Sequence, residues 1–415
     1  MKYMKFLPLI AFITILGVTS CSKKEGCTNQ SAVNYDPDAH NDDGSCIFDE
    51  DNNNNNGNGT GGDDTQTLSG TTDNPLTLEN IYEDESKIDY IVDGTWWISA
   101  AVTVEPGVRI VIKSGGRIQI QSDGSLDATG TAAKPIHIVG EQNVEGFWDY
   151  MRYNGSNNPN NKLIYTYIHN GGGNSTYNAA VYLSGNSRLI MQNSSISKSD
   201  RYGLFVSSTD GRLIEFENNT FETCGLHPIK LRYLRQTDYI DFESQYNNNT
   251  YNTIHVDGNT ASVPFTVKKA SVPYLVDGTN RIQAAAIIEP GVHIQFGAGA
   301  RLQIDDTGSL TAVGTAGDRI TIEGNQQVEG YWDYIRFNNS NNTDNNFQFC
   351  DVSHGGGNGT YNANIYLSSQ SYFRMGNSSV NFSARDGIDG SSNATFVDDG
   401  NNTYQGNELD DNTYL

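Results

Sequence analysis

The chain has 415 residues, with 26 basic against 49 acidic side chains and a formal net charge of −23 at pH 7. So acidic a surface argues against nucleic acid and against unaided binding of polyanions, and leaves cations, neutral glycans or proteins as partners. The 43 glycines fall with Asn, Asp and Ser between short apolar runs, which is turn punctuation of strands.

The first twenty residues are a signal peptide. Lys2 and Lys5 make a short positive region, Phe6–Val18 is an apolar core too short to span a bilayer comfortably, and Val18, Thr19 and Ser20 close it before Cys21. This segment resembles the lipobox of bacterial lipoproteins. The resemblance implies cleavage before Cys21, acylation of that cysteine, and a membrane partner reached through the lipid. At about 0.8 kcal/mol per buried methylene, two or three acyl chains would hold the chain on a membrane essentially permanently. Ser22 stands where many inner-membrane lipoproteins carry aspartate. By resemblance that favours the outer membrane or cell surface.

Residues 21–48 hold the N-terminus that the lipobox resemblance implies is lipidated, and a small acidic module bracketed by Cys27 and Cys46. In an exported chain two cysteines closing a short loop read as a disulfide, worth about 3 kcal/mol against the unfolded loop. The segment is similar to cysteine-bracketed modules of the form G-C-T-x-x-x-A-x-N-Y-x-x-x-A-x-x-D-D-G-S-C found in Bacteroidetes surface proteins. Asp36, Asp38, Asp42 and Asp43, with the turn residue Gly44, offer oxygen ligands for Ca²⁺. Ala39 interrupts the alternate oxygen ligands that an EF-hand-like loop wants, so a solvated acidic turn held by the disulfide is the competing reading. Cys224 and Cys350 have no counterparts across the repeat described below and read as isolated buried thiols. No other cofactor is implied.

Residues 49–80 begin in Asn, Gly and Asp runs that bury nothing to offset ordering entropy, and read as a flexible linker. Beyond them, Val108–Ile112, Arg117–Ile120, Pro135–Ile138 and Lys162–Ile168 alternate apolar and polar residues, and no mature segment carries a helical period. The body is therefore all-β. Sandwich, propeller and β-helix all fit that pattern, but strand groups recurring at about 20 to 25 residues suit a parallel β-helix coil better than a propeller blade of about 40 to 45.

A long stretch of the body is written twice without insertion or deletion. Asp93–Gly203 aligns on Asp277–Gly387, so that Gly124-Ser125-Leu126 meets Gly308-Ser309-Leu310 and the segment Val144–Arg152 meets Val328–Arg336. An intact register of this length means that each segment packs against neighbours duplicated with it. The expected organisation is a first copy at 81–225, connecting coils at 226–270, a second copy at 271–404 and an acidic tail at 405–415. Within the connection, Ile229–Tyr233, Tyr239–Phe242 and Thr253–Val256 read as further strands, which makes the body a single continuous unit.

The segments Val104–Ile110, Gly124–Ala132 with Pro135–Ile138, Gly146–Tyr153 and Asn193–Ile196, each repeated, resemble the right-handed parallel β-helix proteins of the pectate-lyase-like superfamily. That resemblance implies a right-handed β-helix made by tandem duplication. Asn193 and Asn377 are then candidates for side-chain ladders at coil corners. Trp96 and Trp97 occur in the first copy only, against Asn280 and Arg281, and read as a cap on the N-terminal coil.

Two function classes follow. Relatives of this fold include polysaccharide lyases and glycosidases, but the fold alone does not license an activity. The best repeated polar pairs, Asp149 with Arg152 and Asp333 with Arg336, are three apart on a strand and point to opposite faces unless a bulge intervenes. His354 is similar to a histidine of polygalacturonase-like enzymes, yet it stands in a glycine-rich turn without their paired aspartates, and its counterpart is Asn170. The favoured reading is non-catalytic: carbohydrate or matrix binding, adhesion or scaffolding at the cell surface, with extracellular polysaccharide or a surface protein as partner. Its candidate platform is Trp148, Tyr150 and Arg152, repeated as Trp332, Tyr334 and Arg336. The opposing expectation is that both tryptophans are buried beneath a loop.

Overall fold

A computed structural model describes residues 24–28, 35–41 and 64–409, and the chain divides into two compact units at Gly61–Gly62. In the first unit an isolated parallel bridge joins Glu25 to Asn41, and the His40 backbone N–H donates to the Lys24 carbonyl at 2.8 Å. Cys27 is buried and disulfide-bonded; Cys46, its expected partner, lies outside the described residues, as does the expected lipid site Cys21.

The second unit is a stack of parallel coils, each contributing a strand to three faces in turn. The first face ladders Arg109–Ile112, Ile136–Gly140, Thr166–His169, Ser195–Ser197, Thr220–Glu222 and Gln245–Asn247. The second carries Arg117–Ile120, Tyr150–Asn154, Ala179–Ser184, Tyr202–Val206, Ile229–Leu231 and Ile254–Val256. The third holds Leu76–Leu78, Ala101–Val104, Ser125–Thr129, Lys162–Ile164, Arg188–Gln192 and Arg212–Glu217. Alternate residues of each strand, such as Ile118 and Ile120 or Met151 and Tyr153, point into one core that runs the length of the stack.

Polar ladders line the core at the corners. The Thr166 N–H donates to Ser194 Oγ at 3.0 Å, the Ser194 N–H to Asn219 Oδ1 at 3.1 Å, and the Asn219 N–H to Ser244 Oγ at 2.9 Å. Asn193 and Asn377 occupy the left-handed corner just before the buried laddering residue, each with φ of 50°; Asn377 also accepts from Asn401 Nδ2 of the next coil at 3.1 Å, a rung of the expected ladder, whereas among the described residues Asn193 does not ladder. Asparagine tolerates that conformation better than most residues. Strand bounds recur at the constant offset read from the sequence: Tyr150–Asn154 with Tyr334–Asn338, and Ala179–Ser184 with Ala363–Ser368.

Three expectations need correction. The linker does not extend to residue 80, because Gln66–Thr72 pairs in parallel with Tyr90–Ile98 and buries Leu68, while Leu78 joins the core from Leu76–Leu78. A terminal coil buries little, so its sequence is nearly as polar as a tether. Trp96 is not an outer cap but a core residue, its indole N–H donating to Thr72 Oγ1 at 2.9 Å; Trp97 faces outward. The expected strand at Tyr239–Phe242 is absent, and a 3-10 helix, Leu234–Tyr239, occupies the third face between Arg212–Glu217 and Phe265–Val267. Elsewhere the connection behaves as coil: Ile254–Val256 pairs on to Tyr274–Val276 and His293–Phe296, so the parallel ladder crosses residues 226–270 unbroken.

Candidate functional site: an aromatic and cationic belt

The expected platform divides between core and surface. Trp148 and Trp332 have no exposed surface; their indole N–H groups donate to the carbonyls of His169 at 2.7 Å and Ser353 at 2.8 Å. The glycine loops after each carbonyl lie against the ring faces. A Cβ at Gly171 would stand 2.7 Å from Trp148, and one at Gly355 the same distance from Trp332. The tryptophans are therefore removed from any sugar-binding reading. The sequence alternation placed Trp148 with Tyr150 and Arg152, but Trp148 precedes the strand, so the strand's alternation does not govern it.

Tyr150 and Arg152 do point outward from Tyr150–Asn154, and they begin a longer feature. The Tyr150 ring meets Tyr177 at 4.9 Å, Tyr177 meets Tyr182 at 5.2 Å, Tyr182 meets Phe205 at 5.1 Å, and Phe205 meets Tyr202 at 5.9 Å. Tyr202 then stacks on His227 at 6.1 Å, and His227 stacks on Tyr251 at 4.9 Å. Cations sit over this belt. Arg117 lies 5.7 Å from the Tyr150 centroid, Arg152 lies 4.1 Å from Tyr177, and Lys230 lies 5.2 Å from both Tyr202 and Phe205. The register explains the line: Gln119, Arg152, Tyr182, Phe205, Lys230 and His255 occupy one outward column of the second face, coil above coil. Tyr177 comes from the loop before Ala179–Ser184 and covers Tyr150, which is why Tyr150 is buried although it faces outward.

The belt is shorter in the second half. Tyr334, Tyr361 and Tyr366 follow one another at 5.2 and 5.1 Å, with Arg301 over Tyr334 and Arg336 over Tyr361 at 3.8 Å. The next residue in that column is Asp389, where the first half has Phe205.

The polar end of the first belt is built from His227, His255, Asp257 and Asp277. His255 Nε2 lies 2.8 Å from Asp277 Oδ2, and Asp257 takes Lys230 at 3.2 Å and Arg232 at 3.1 Å. Burial, with the neighbouring His255, pushes His227 down to about 4, while its hydrogen bond to His255 holds Asp277 below the usual carboxylate range. His227 is thus a neutral stacking ring at pH 7.

No paired-acid constellation assembles around the repeated Asp and Arg. Asp149 pairs with Arg117 at 2.8 Å, whereas Arg152 donates to Asn154 Oδ1 and Ser184 Oγ; Asp333 and Arg336 divide the same way, between Arg301 and the pair Asn338 and Ser368. His354 sits in a left-handed turn, its ring stacked on Phe382 at 5.4 Å. Among the described residues no cluster of three His, Cys, Asp or Glu side chains is arranged to hold a metal ion. Of the candidate calcium ligands, Asp36 is ion-paired to Lys24 at 2.6 Å and accepts the Asp38 N–H; Asp42 and Asp43 lie outside the described residues. Cys224 and Cys350 are free and buried, and burial raises both thiols.

Coiled parallel ladders around one core define a β-helix. Residues 137–271 match the family model described as "Right handed beta helix region", which together with the ladders supports the right-handed form. Among solved structures the chain is similar to the catalytic unit of a thermostable GH87 alpha-1,3-glucanase from Streptomyces thermodiastaticus strain HF3-3, at 13% identity and a TM-score of 0.30, covering 76% of this chain and 63% of that one. No chemistry is carried over from that likeness. No curated protein matches the sequence.

Proposed function

We propose that this protein is a non-catalytic, lipid-anchored lipoprotein of the outer membrane or cell surface, whose tandemly duplicated β-helix binds extracellular polysaccharide along the aromatic belt. The observation that carries the reading is the row of half-buried Tyr177 and Tyr182 and exposed Tyr251, backed by the buried rings of Tyr150, Phe205, Tyr202 and His227, with Arg152 over Tyr177 and Lys230 beside Tyr202. Ring faces stack on apolar sugar faces, and adjoining Asn, Arg and Lys groups hydrogen-bond hydroxyls. Ring spacings of 4.9 to 6.1 Å run along the direction in which coils stack, a direction suited to an extended chain. In this reading Cys21 carries the lipid, Cys27 and Cys46 close the small module, and Ca²⁺ at Asp36, Asp38, Asp42 and Asp43 is a further proposal that calorimetric calcium titration tests.

Affinity electrophoresis of the full-length protein in detergent against neutral glycans is the direct test. Replacing the half-buried Tyr177 and Tyr182 together by Ala should weaken retention about tenfold, as expected from losing ring contacts of about 0.5 to 1.5 kcal/mol each. Unchanged retention, with the melting temperature preserved, sinks the belt as the binding surface. Cys21→Ser tests the anchor separately: the protein should leave the detergent phase of a Triton X-114 partition.

A further inference from the structure

The third face carries a feature that glycan binding on the second face does not use. After Arg212–Glu217 the next coil supplies no strand, only the 3-10 helix Leu234–Tyr239 and the irregular residues 240–243. A groove of about 500 Å³ opens there, between Ile214–Asn218 on one side and Asp238–Glu243 with Lys268, Lys269 and Glu289 on the other.

The edge of Arg212–Glu217 is closed at both ends and open between them. Upstream, Gln236 Nε2 donates to the carbonyls of Ser208 at 2.8 Å and Gly211 at 3.0 Å. Downstream, the Asn218 N–H donates to Asp241 Oδ2 at 2.9 Å and the Asn219 N–H to Ser244 Oγ. Between these points no partner strand lies on the groove side among the described residues. The Arg212 N–H donates to Ser187, and the Glu217 carbonyl accepts from Asn193, so these two residues face the preceding coil. In a parallel ladder, residues alternate the neighbour to which they turn both backbone groups. Phe216 therefore turns its N–H and C=O toward the groove. A register shift at Leu189/Ile190 also pushes Ile214 outward, where it is 39% exposed opposite Phe242 at 48%.

Charge selects the occupant. Glu215 and Glu217 both approach Gln192 Nε2, at 3.2 and 3.4 Å, and among the described residues neither they nor Glu243 forms an ion pair. Both groove lysines are already held: Lys268 by Glu289 at 3.4 Å and Lys269 by Asp318 at 2.8 Å. Asp241 Oδ1 is buried in the wall without a hydrogen-bond partner. A second copy would set the same carboxylates against themselves, and the acidic tether of this chain would be repelled likewise.

We infer that this groove binds an extended, lysine- or arginine-bearing peptide segment of a partner protein, which adds as a strand to the open edge of Arg212–Glu217. Main-chain hydrogen bonds to Phe216 supply affinity, Ile214 and Phe242 flank apolar side chains, and Glu215, Glu217 and Glu243 take alternate cations.

The test uses full-length protein in detergent and fluorescence anisotropy with three labelled octapeptides: alternating Lys-Val, alternating Glu-Val, and the Lys-Val sequence methylated at every backbone nitrogen. The Lys-Val peptide should bind; Glu-Val and the N-methylated peptide should bind at least tenfold more weakly, the latter because it has no backbone N–H to give the edge in either register. E215K/E217K, and separately E243K on the opposite rim, should each reduce Lys-Val binding tenfold or more without moving the melting temperature. Equal binding of Lys-Val and its N-methylated form would reduce the site to bulk charge attraction and overturn strand addition. Failure of Lys-Val to bind, or indifference to the charge reversals, overturns the site altogether. Tyr177→Ala/Tyr182→Ala should leave peptide binding intact, so failure here and failure of glycan binding are separable.

Discussion

Trp148 and Trp332 show how one residue's position relative to a strand decides its role. Each fills the core beneath a glycine loop and gives its one polar hydrogen to a carbonyl. Trp148→Ala or Trp332→Ala should therefore cost about 3 to 5 kcal/mol of folding stability, read as a large fall in the urea midpoint or melting temperature. A change in glycan retention without such a fall would contradict their burial. Histidine protonation makes the second residue-scale prediction. Burial, then the nearby Arg109, holds His137 at about 4, and burial with Lys198 does the same to His169; His227 lies equally low. A neutral buried histidine in the fold against a pKa near 6.5 in the unfolded chain means that the unfolded state takes the proton first. Their stabilisation is complete above about pH 6.5 and is lost as pH falls toward 4, at up to about 1.4 kcal/mol per pH unit for each group. Urea titrations between pH 7 and pH 4.5 should show this slope, and His137→Gln should flatten it.

Coil stacking is controlled by backbone proximity at a few glycines and by the internal ladders. A Cβ at Gly124 would lie 2.1 Å from the Ile98 carbonyl oxygen of the coil before it, and at Gly308 2.3 Å from that of Ile282. Both contacts are with backbone, which cannot swing aside. Gly124→Ala and Gly308→Ala should each destabilise by about 1 to 3 kcal/mol, measured by chemical denaturation. Asn219 is fully buried, accepts from the Ser194 N–H and donates to the Met191 carbonyl at 2.9 Å. Asn219→Ala strands both groups, and a loss of about 2 to 4 kcal/mol is expected from two unmet buried partners. Asn219→Asp keeps the acceptor but sets a buried carboxylate against the Met191 carbonyl, and should cost at least as much as Asn219→Ala.

The parallel ladder from Ile229–Leu231 through Ile254–Val256 and Tyr274–Val276 to His293–Phe296 joins the two halves of the coil stack by backbone bonds rather than by a linker. Nearest-neighbour coupling in a solenoid then spreads stability across the junction. Limited proteolysis should not release two folded halves by cutting within 226–270, and thermal unfolding of the body should be a single transition. The interrupted third face makes residues 234–243 the place where early cleavage, if any, begins.

Alternating strands, turn residues and an uninterrupted internal repeat were legible from sequence because they are local or arithmetic properties: side chains reverse face at each strand residue, and glycines mark corners. The buried state expected of Cys224 and Cys350 follows from the same reasoning, since neither has a repeated partner. Sequence alone left Trp148 divided between a surface platform and a place beneath a loop, and burial decides for the latter; it also hid the first coil within the polar linker, and read a strand at Tyr239–Phe242 where Leu234–Tyr239 turns as a 3-10 helix. It also missed Tyr177, Tyr182, Tyr202, Phe205 and His227, whose one local signal is outward parity in strands or loops that are dozens of residues apart. Which outward residues stand in one column depends on inter-coil register, and that is set by how unequal corners pack around the core. The belt and the open edge are both products of that register, so only the tertiary structure could place them.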